Sequence, residues 1–163
     1  NPGATNALRA GGKGSALLAL LLDKLKGALP VGLAHFQFGF TGWPLILTSL
    51  MPILGHAFSP FLGFKGGKAV AVTGGVWMGL TVWEGPTIGG LLMGLLVLLY
   101  PANGWVVMIS QLGLLGWLLF TPASWNRLQA RPTPFEITMI GLGALLILGW
   151  KHREDLRSLP RLR

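Results

Sequence analysis

Apolar residues in this chain fall in long continuous runs, not in the alternating or one-faced patterns of soluble elements. Six runs stand at 15–34, 44–62, 69–83, 88–101, 105–121 and 135–150. Turn-forming residues separate them: Gly39 to Gly42, the pair Gly66-Gly67, Gly85-Pro86, Pro101 to Gly104, and the stretch from Pro122 to Pro134. A straight helix crossing a bilayer takes about 20 residues. The third and fourth runs are short for that task, which predicts crossings of thinned membrane or a helical hairpin. With no internal repeat or low-complexity tract in view, the pattern predicts an all-α fold. It is a polytopic transmembrane helical bundle of about six spans in one domain, residues 1–163.

Composition narrows the classes further. Charged residues make up 11% of the chain and hydrophobic residues 52%, with a mean hydropathy of +0.60, against about 25% charged in an average soluble domain. Disorder is excluded, because it needs low hydrophobicity and high charge. The 25 Gly and 11 Pro among leucine runs suit membrane helices. The chain has no Cys, so disulfides and thiolate chemistry are excluded.

A net charge of +8 would suggest nucleic acid in a soluble protein. Here it fits anionic lipid, phosphorylated substrates and the positive-inside rule, with no nucleic-acid partner. Placing the N-terminus in the cytoplasm puts Arg9, Lys13, Lys65, Lys68, Lys151, Arg153, Arg157, Arg161 and Arg163 inside, and only Arg127 and Arg131 outside. The opening NPGATNALRAGGKG has no apolar core and reads as a loop, not a signal peptide. The chain is expected to begin inside that loop.

Candidate chemistry sits at few places. Ionisable groups inside a span are costly and often functional, which draws attention to Asp23, Lys24 and Lys26 ahead of Gly27 and Pro30. They read either as an ion pair with snorkelling lysines or as a lysine facing a polar cavity. The densest segment is GHAFSPFLGFKGGKAVAVT, Gly55 to Thr73. His56 and Ser59 are three apart and share a helical face, and Pro60 bends the chain after them. Lys65, Gly66, Gly67 and Lys68 form a basic glycine loop just before a helix, where backbone N–H groups and the helix dipole favour phosphate. Leu62 and Ala69 rule out a Walker A loop. A plain positive-inside loop is the alternative.

The N-terminal segment adds Asn1, Thr5, Asn6 and Arg9, small hydrogen-bonding groups plus a guanidinium suited to phosphate. The tail from Lys151, with His152 and Arg153, lies on the same expected face, as a phosphate contact or a lipid anchor. Other chemistries fail. The histidines His35, His56 and His152 are scattered, so no metal site is expected, and no cofactor is expected either. A Ser–His–acid triad needs a carboxylate beside Ser59 and His56, and the chain has only five acids. The H-x-x-x-x-D pattern of the acyltransferases that use acyl-CoA or acyl-carrier protein is absent, since Phe40, Phe61 and Arg157 stand five residues after the histidines.

NPGATNALRAGGK and GHAFSPFLGFKGGKAVAVT resemble the first and second motifs of the bacterial acyl-phosphate:glycerol-3-phosphate acyltransferases, the PlsY family. Asp23, Lys26, Gly27 and Pro30 are similar to its D-x-x-K-G-x-x-P pattern, and KHREDLRSL resembles its third motif. The resemblance runs over nearly the whole chain. It implies a seven-span inner-membrane enzyme that moves an acyl group from acyl phosphate to the 1-hydroxyl of glycerol-3-phosphate, giving lysophosphatidic acid, with no obligatory protein partner. Family members carry Ser-Gly and a further span before the residue matching Asn1, so this chain is expected to hold six of the seven. Ala69 replaces a usual Gly, Asp155 a usual Asn, and a Ser-rich pattern near 105–112 is reduced to Ser110.

On this resemblance Arg9, Lys65 and Lys68, with the Gly66-Gly67 backbone, would hold phosphate. Asn1, Thr5 and Asn6 would orient glycerol-3-phosphate, with Lys26, Ser59, His152 and Arg153 as further substrate contacts. His56 is the candidate general base. A non-catalytic lipid- or phosphate-binding relative and a small membrane transporter using Asp23, Lys24 and Lys26 remain as alternatives.

Overall fold

The computed structural model describes residues 4–101, 103–126, 128 and 131–158. Six helices follow the six apolar runs: α1 (Ala4–Gly32), α2 (Gly42–Ala57), α3 (Val70–Thr81), α4 (Glu84–Leu99), α5 (Gly104–Phe120) and α6 (Pro134–Lys151). Short helical turns at Leu33–Gln37, Pro60–Leu62, Ala123–Trp125 and Asp155–Arg157 fill the connections, and no strand occurs among the described residues.

The opening differs from its predicted loop. Ala4, Ala7, Leu8 and Ala10 are good helix formers, and α1 begins at Ala4. Its glycines show only at Gly12, where φ 74° and ψ −169° break α1 into two helical pieces. From Asn6 to Leu22 nearly every residue is exposed, and α1 enters the bundle only from Asp23 onward.

Helix α3 is the centre. It buries Val72, Val76, Trp77 and Leu80, and it crosses α1 closely. A Cβ on Gly75 would lie 2.1 Å from the Lys24 carbonyl, and one on Gly27 would lie 2.5 Å from the Val72 carbonyl. Small residues at such crossings let helix backbones touch, the usual packing device where no water drives association. At 12 residues α3 spans only about 18 Å at the helical rise. It is followed directly by α4 after a turn at Val82 and Trp83, a hairpin being one of the two arrangements expected of the short runs.

Caps fix the remaining ends. Asn103 Oδ1 accepts the Trp105 and Val106 N–H groups at the start of α5. Thr133 and Glu136 form a capping box at the start of α6, and Glu136 also takes the Gly42 N–H of α2. The starts of α2 and α6 therefore meet at one end of the bundle, called here the far end. Their last turns meet at the other, where Lys151 reaches the Ala57 carbonyl. Two segments, Gly42–Leu62 and Pro134–Lys151, are long and apolar enough to cross a membrane. Leucines crowd the outer surface, among them Leu17, Leu21, Leu91, Leu98 and Leu146.

Candidate functional site

Opposite the far end, α1 and the last turn of α2 enclose a cleft of about 360 Å³. It is lined by Asp23, Lys26, Pro52, Gly55, His56, Ser59 and Leu62. Asp23 and Lys26 stand one turn apart on α1 and pair at 2.5 Å. His56 Nδ1 lies 3.5 Å from the same Asp23 carboxylate oxygen. The His56 ring is largely buried and the Lys26 ammonium half exposed. A neutral imidazole whose Nδ1 faces a carboxylate keeps its proton there and leaves Nε2 as acceptor.

The expectation that no acid would stand beside His56 and Ser59 is thereby corrected. The acid comes from α1, brought in by the glycine crossing with α3. Among the described residues Ser59 makes no hydrogen bond to His56, so the nucleophile–base contact of a triad is not formed.

The glycine loop is also different from its prediction. Gly67 N–H donates to the His56 carbonyl at 3.0 Å, and Gly66 N–H donates to the Ala57 carbonyl at 3.2 Å. Both groups that were expected to cradle an anion are occupied. The reason for glycine here is close approach, since a Cβ on Gly66 would sit 2.0 Å from the His56 carbonyl oxygen. Lys151 closes the hairpin: its ammonium donates to the Ala57 carbonyl at 2.9 Å and the Gly66 carbonyl at 3.1 Å, 5.2 Å from the Phe58 ring centre. Phe64 and Ala69 hold φ of 61°, a costly conformation for residues with a side chain. Residues 56–69 thus form a pinned hairpin with His56 at its root and Lys65 and Lys68 on its exposed return.

Beyond it the chain after α6 folds back on α5. Lys68 Nζ pairs with Asp155 Oδ2 at 2.7 Å. His152, buried at the end of α6, donates from Nδ1 to the Leu148 carbonyl at 2.9 Å. A carbonyl can only accept, so the neutral ring again offers Nε2 as the acceptor. Burial, the largest influence, pulls the His152 pKa below its ordinary value; the Leu148 bond and Asp155 oppose this, while Lys68 and Lys151 add to it. Glycine at 104 makes room for this turn, because a Cβ there would be 2.8 Å from the His152 Cβ and 3.0 Å from the Asp155 Cβ.

The other predicted residues do not converge here. Asn6 and Arg9 are exposed on α1 ahead of the Gly12 break and do not line the cleft. Arg153 turns back on its own helix, donating to the Trp150 carbonyl at 3.0 Å and stacking 5.2 Å from that indole. Asn1 and the Thr5 side chain lie outside the described residues, as do Arg127, Arg161 and Arg163. Among the described residues no group of His, Asp or Glu is arranged to hold a metal. Sequence reasoning missed Lys151 and Gly104 as supports and Asp23 as the His56 partner. Only Asp23 carried a signal, as a lone acid within an apolar run.

The comparisons with known proteins agree in kind. The family model described as glycerol-3-phosphate acyltransferase matches residues 1–161. Glycerol-3-phosphate acyltransferase 1 of Thermotoga maritima is 37% identical, over 96% of this chain and 79% of its own length. The glycerol-3-phosphate acyltransferase of Thioalkalivibrio sulfidiphilus is also 37% identical, over 99% of this chain and 73% of its own. Among solved structures, PlsY (YgiH), an integral membrane glycerol 3-phosphate acyltransferase, superposes in its lysophosphatidic acid form with a TM-score of 0.76 at 29% identity. The match covers 95% of this chain and 74% of that one. Its glycerol 3-phosphate form superposes with a TM-score of 0.73.

Proposed function

Given that the chain belongs to the glycerol-3-phosphate acyltransferase family, we propose that it moves an acyl group from an acyl phosphate to the 1-hydroxyl of glycerol-3-phosphate. Phosphate and lysophosphatidic acid are the products. In this reading the bundle is a multi-pass protein of the bacterial inner membrane with its site end facing the cytoplasm. The basic residues favour that orientation, since Lys65, Lys68, Lys151 and Arg153 gather at the site end and Arg131 stands at the far end.

The observation that carries the proposal is the pinned hairpin. At its root it sets a histidine beside a carboxylate, and on its return it sets a half-exposed ammonium. An acyl phosphate is already activated, so catalysis needs alignment and charge stabilisation more than covalent chemistry. Lys68 and Lys65 would hold phosphate oxygens, with Arg9 joining from the segment ahead of Gly12. His152 would stand beside them, Arg153 would have to leave the Trp150 carbonyl to join, and Asn1, Thr5 and Asn6 would orient the glycerol. His56 Nε2 would take the hydroxyl proton as the oxygen attacks the carbonyl, and Asp23 would stabilise the imidazolium that forms. The carbonyl carbon gains the glycerol oxygen, and the bond to the phosphate oxygen breaks with its electron pair on phosphate. Lys26 and Ser59 would contact substrate in the cleft, and the acyl chain would run along the apolar helix faces. No cofactor is required.

The test uses the full chain in detergent micelles with both substrates. Lys68→Ala is expected to lower kcat/KM by about a hundredfold, the usual effect of removing one charge-stabilising donor. His56→Ala is expected to lose a similar factor, mostly in kcat. Unchanged kcat/KM in Lys68→Ala would refute the phosphate assignment, and an unchanged rate in His56→Ala would reduce that residue to a structural role.

A further inference from the structure

The cation best placed to meet a substrate phosphate is not open. Lys68 carries its own anion, Asp155, at 2.7 Å, with the two side chains 51% and 29% exposed. The carboxylate is held there from both sides. On one, Leu156 N–H donates to the His152 carbonyl at 3.1 Å, closing a turn that contains Asp155. On the other, the Trp105 indole N–H donates to the Ser158 carbonyl at 2.8 Å and ties the end of that turn to α5. Gly104 lets the turn seat against the start of α5. Lys68 in turn leaves a hairpin whose backbone is fixed by Lys151.

We infer that Asp155 is an internal stand-in for substrate phosphate: it occupies Lys68 in the empty site and sets the affinity of that site for phosphate groups. The inference rests on the reading above, in which Lys68 binds phosphate. A carboxylate and a phosphate monoester offer the same thing to an ammonium, an anionic oxygen at about 2.7–2.9 Å. A lysine has donors for both, but the arriving dianion meets the Asp155 charge at close range. Binding therefore requires the carboxylate to give up its contact, and every phosphate at the site is weakened alike. That includes the inorganic phosphate released by the reaction. Asp155 thus acts as an affinity-setting residue that keeps product from lingering. Because the pair is partly exposed, the effect is modest, about three- to fivefold.

The test removes the charge and keeps the shape. Asp155→Asn and Asp155→Gln are both made in the full chain, so that one poorly folding variant does not remove the experiment, and Asp155→Glu retains the charge. Inhibition by inorganic phosphate and the KM for glycerol-3-phosphate are measured at fixed acyl phosphate. The neutral variants are expected to tighten both by about three- to fivefold, and Asp155→Glu to stay near the parent value. Phosphate inhibition that is unchanged or weaker in the neutral variants overturns the inference and makes Asp155 a support for Lys68. The underlying reading fails separately: if Lys68→Ala leaves phosphate inhibition untouched, Lys68 is not the phosphate cation. If Lys68→Ala abolishes that inhibition while the neutral variants gain nothing, only the role of Asp155 falls.

Discussion

Replacing Arg131 with Met should destabilise the protein strongly while sparing its chemistry. Glu84 is wholly buried and the Arg131 side chain only 4% exposed. All five guanidinium N–H groups are used. Nε and Nη2 donate to the two Glu84 oxygens at 2.8 and 2.5 Å, Nη1 to the Leu118 and Thr121 carbonyls at 3.2 and 2.7 Å, and Nη2 also to Thr121 Oγ1 at 2.8 Å. Glu84 further accepts from Asn126 at 2.7 Å and the Trp117 indole at 3.2 Å. The pair therefore joins the start of α4, the end of α5 and the loop before α6.

Met fills the space of the stem but leaves Glu84 charged, buried and without a counter-ion. Removing one partner of a buried pair costs about 3–5 kcal/mol. For a chain of this size that is a fall in Tm on the order of 10 °C. The measurement is thermal unfolding of the purified protein in detergent, alongside activity at a temperature where both proteins are folded. The double variant Glu84→Gln with Arg131→Met should cost less than the sum of the singles, because it removes the orphaned charge. A Tm within about 2 °C of the parent for Arg131→Met, or strict additivity in the double, would refute the argument. So would a loss of specific activity in folded Arg131→Met, because the network lies at the far end from the cleft.

Two adjacent glycines should respond in opposite directions. Gly75→Ala drives a methyl to 2.1 Å from the Lys24 carbonyl, so α1 must move off α3. It is expected to lower both Tm and kcat/KM, because that crossing carries Asp23 to His56. Gly74→Ala meets nothing within 4 Å and should raise stability by about 0.5–1 kcal/mol through helix propensity, read by the same thermal unfolding. The third expectation concerns pH. The His152 pKa is lowered from 6.5 in the folded protein, so below 6.5 the unfolded chain takes up this proton first. The stability it contributes is complete above pH 6.5 and is lost as pH falls through the folded value. His152→Gln should make Tm less dependent on pH between 7 and 5 than in the parent, and an unchanged slope would contradict the buried neutral ring.

The helices were legible because each apolar run is longer than the punctuation that ends it. Helix α3 keeps most of its short run and ends where Ala69 and Val82 take φ of 61° on either side of it. The opening helix was not legible, because Gly11, Gly12 and Gly14 suggest a loop, and only Gly12 takes a backbone angle that breaks the helix. At the site, His56 and Ser59 could be grouped from local spacing, as could Asp23 and Lys26, and all four line the cleft. The Asp23–His56 contact could not, since it depends on how two glycine faces cross and no periodicity encodes that. The glycine pair shows the limit most sharply. Gly66 and Gly67 suit an open anion nest and a tight backbone crossing equally well in sequence. The choice is decided by the carbonyls of His56 and Ala57, which accept the two N–H groups.

The two ends of the bundle treat their charges differently, and that difference bears on the proposed phosphate site. At the far end Glu84 and Arg131 are buried and Glu136 is saturated by Thr133 and the Gly42 N–H. Removing a charge from such a site is expensive, so these groups are committed to holding helices together. At the site end Lys26 and Lys68 keep about half their side-chain surface open, and each meets a carboxylate that water can also reach. Exposed pairs are worth little and exchange partners cheaply. A phosphate arriving from solvent can therefore compete for Lys68 or Lys26 but not for Arg131. Basic charge alone would leave Arg131 as good a phosphate ligand as Lys68; the exposure of the existing pairs separates them and supports the proposal that phosphate binds at the end that holds the His56 cleft.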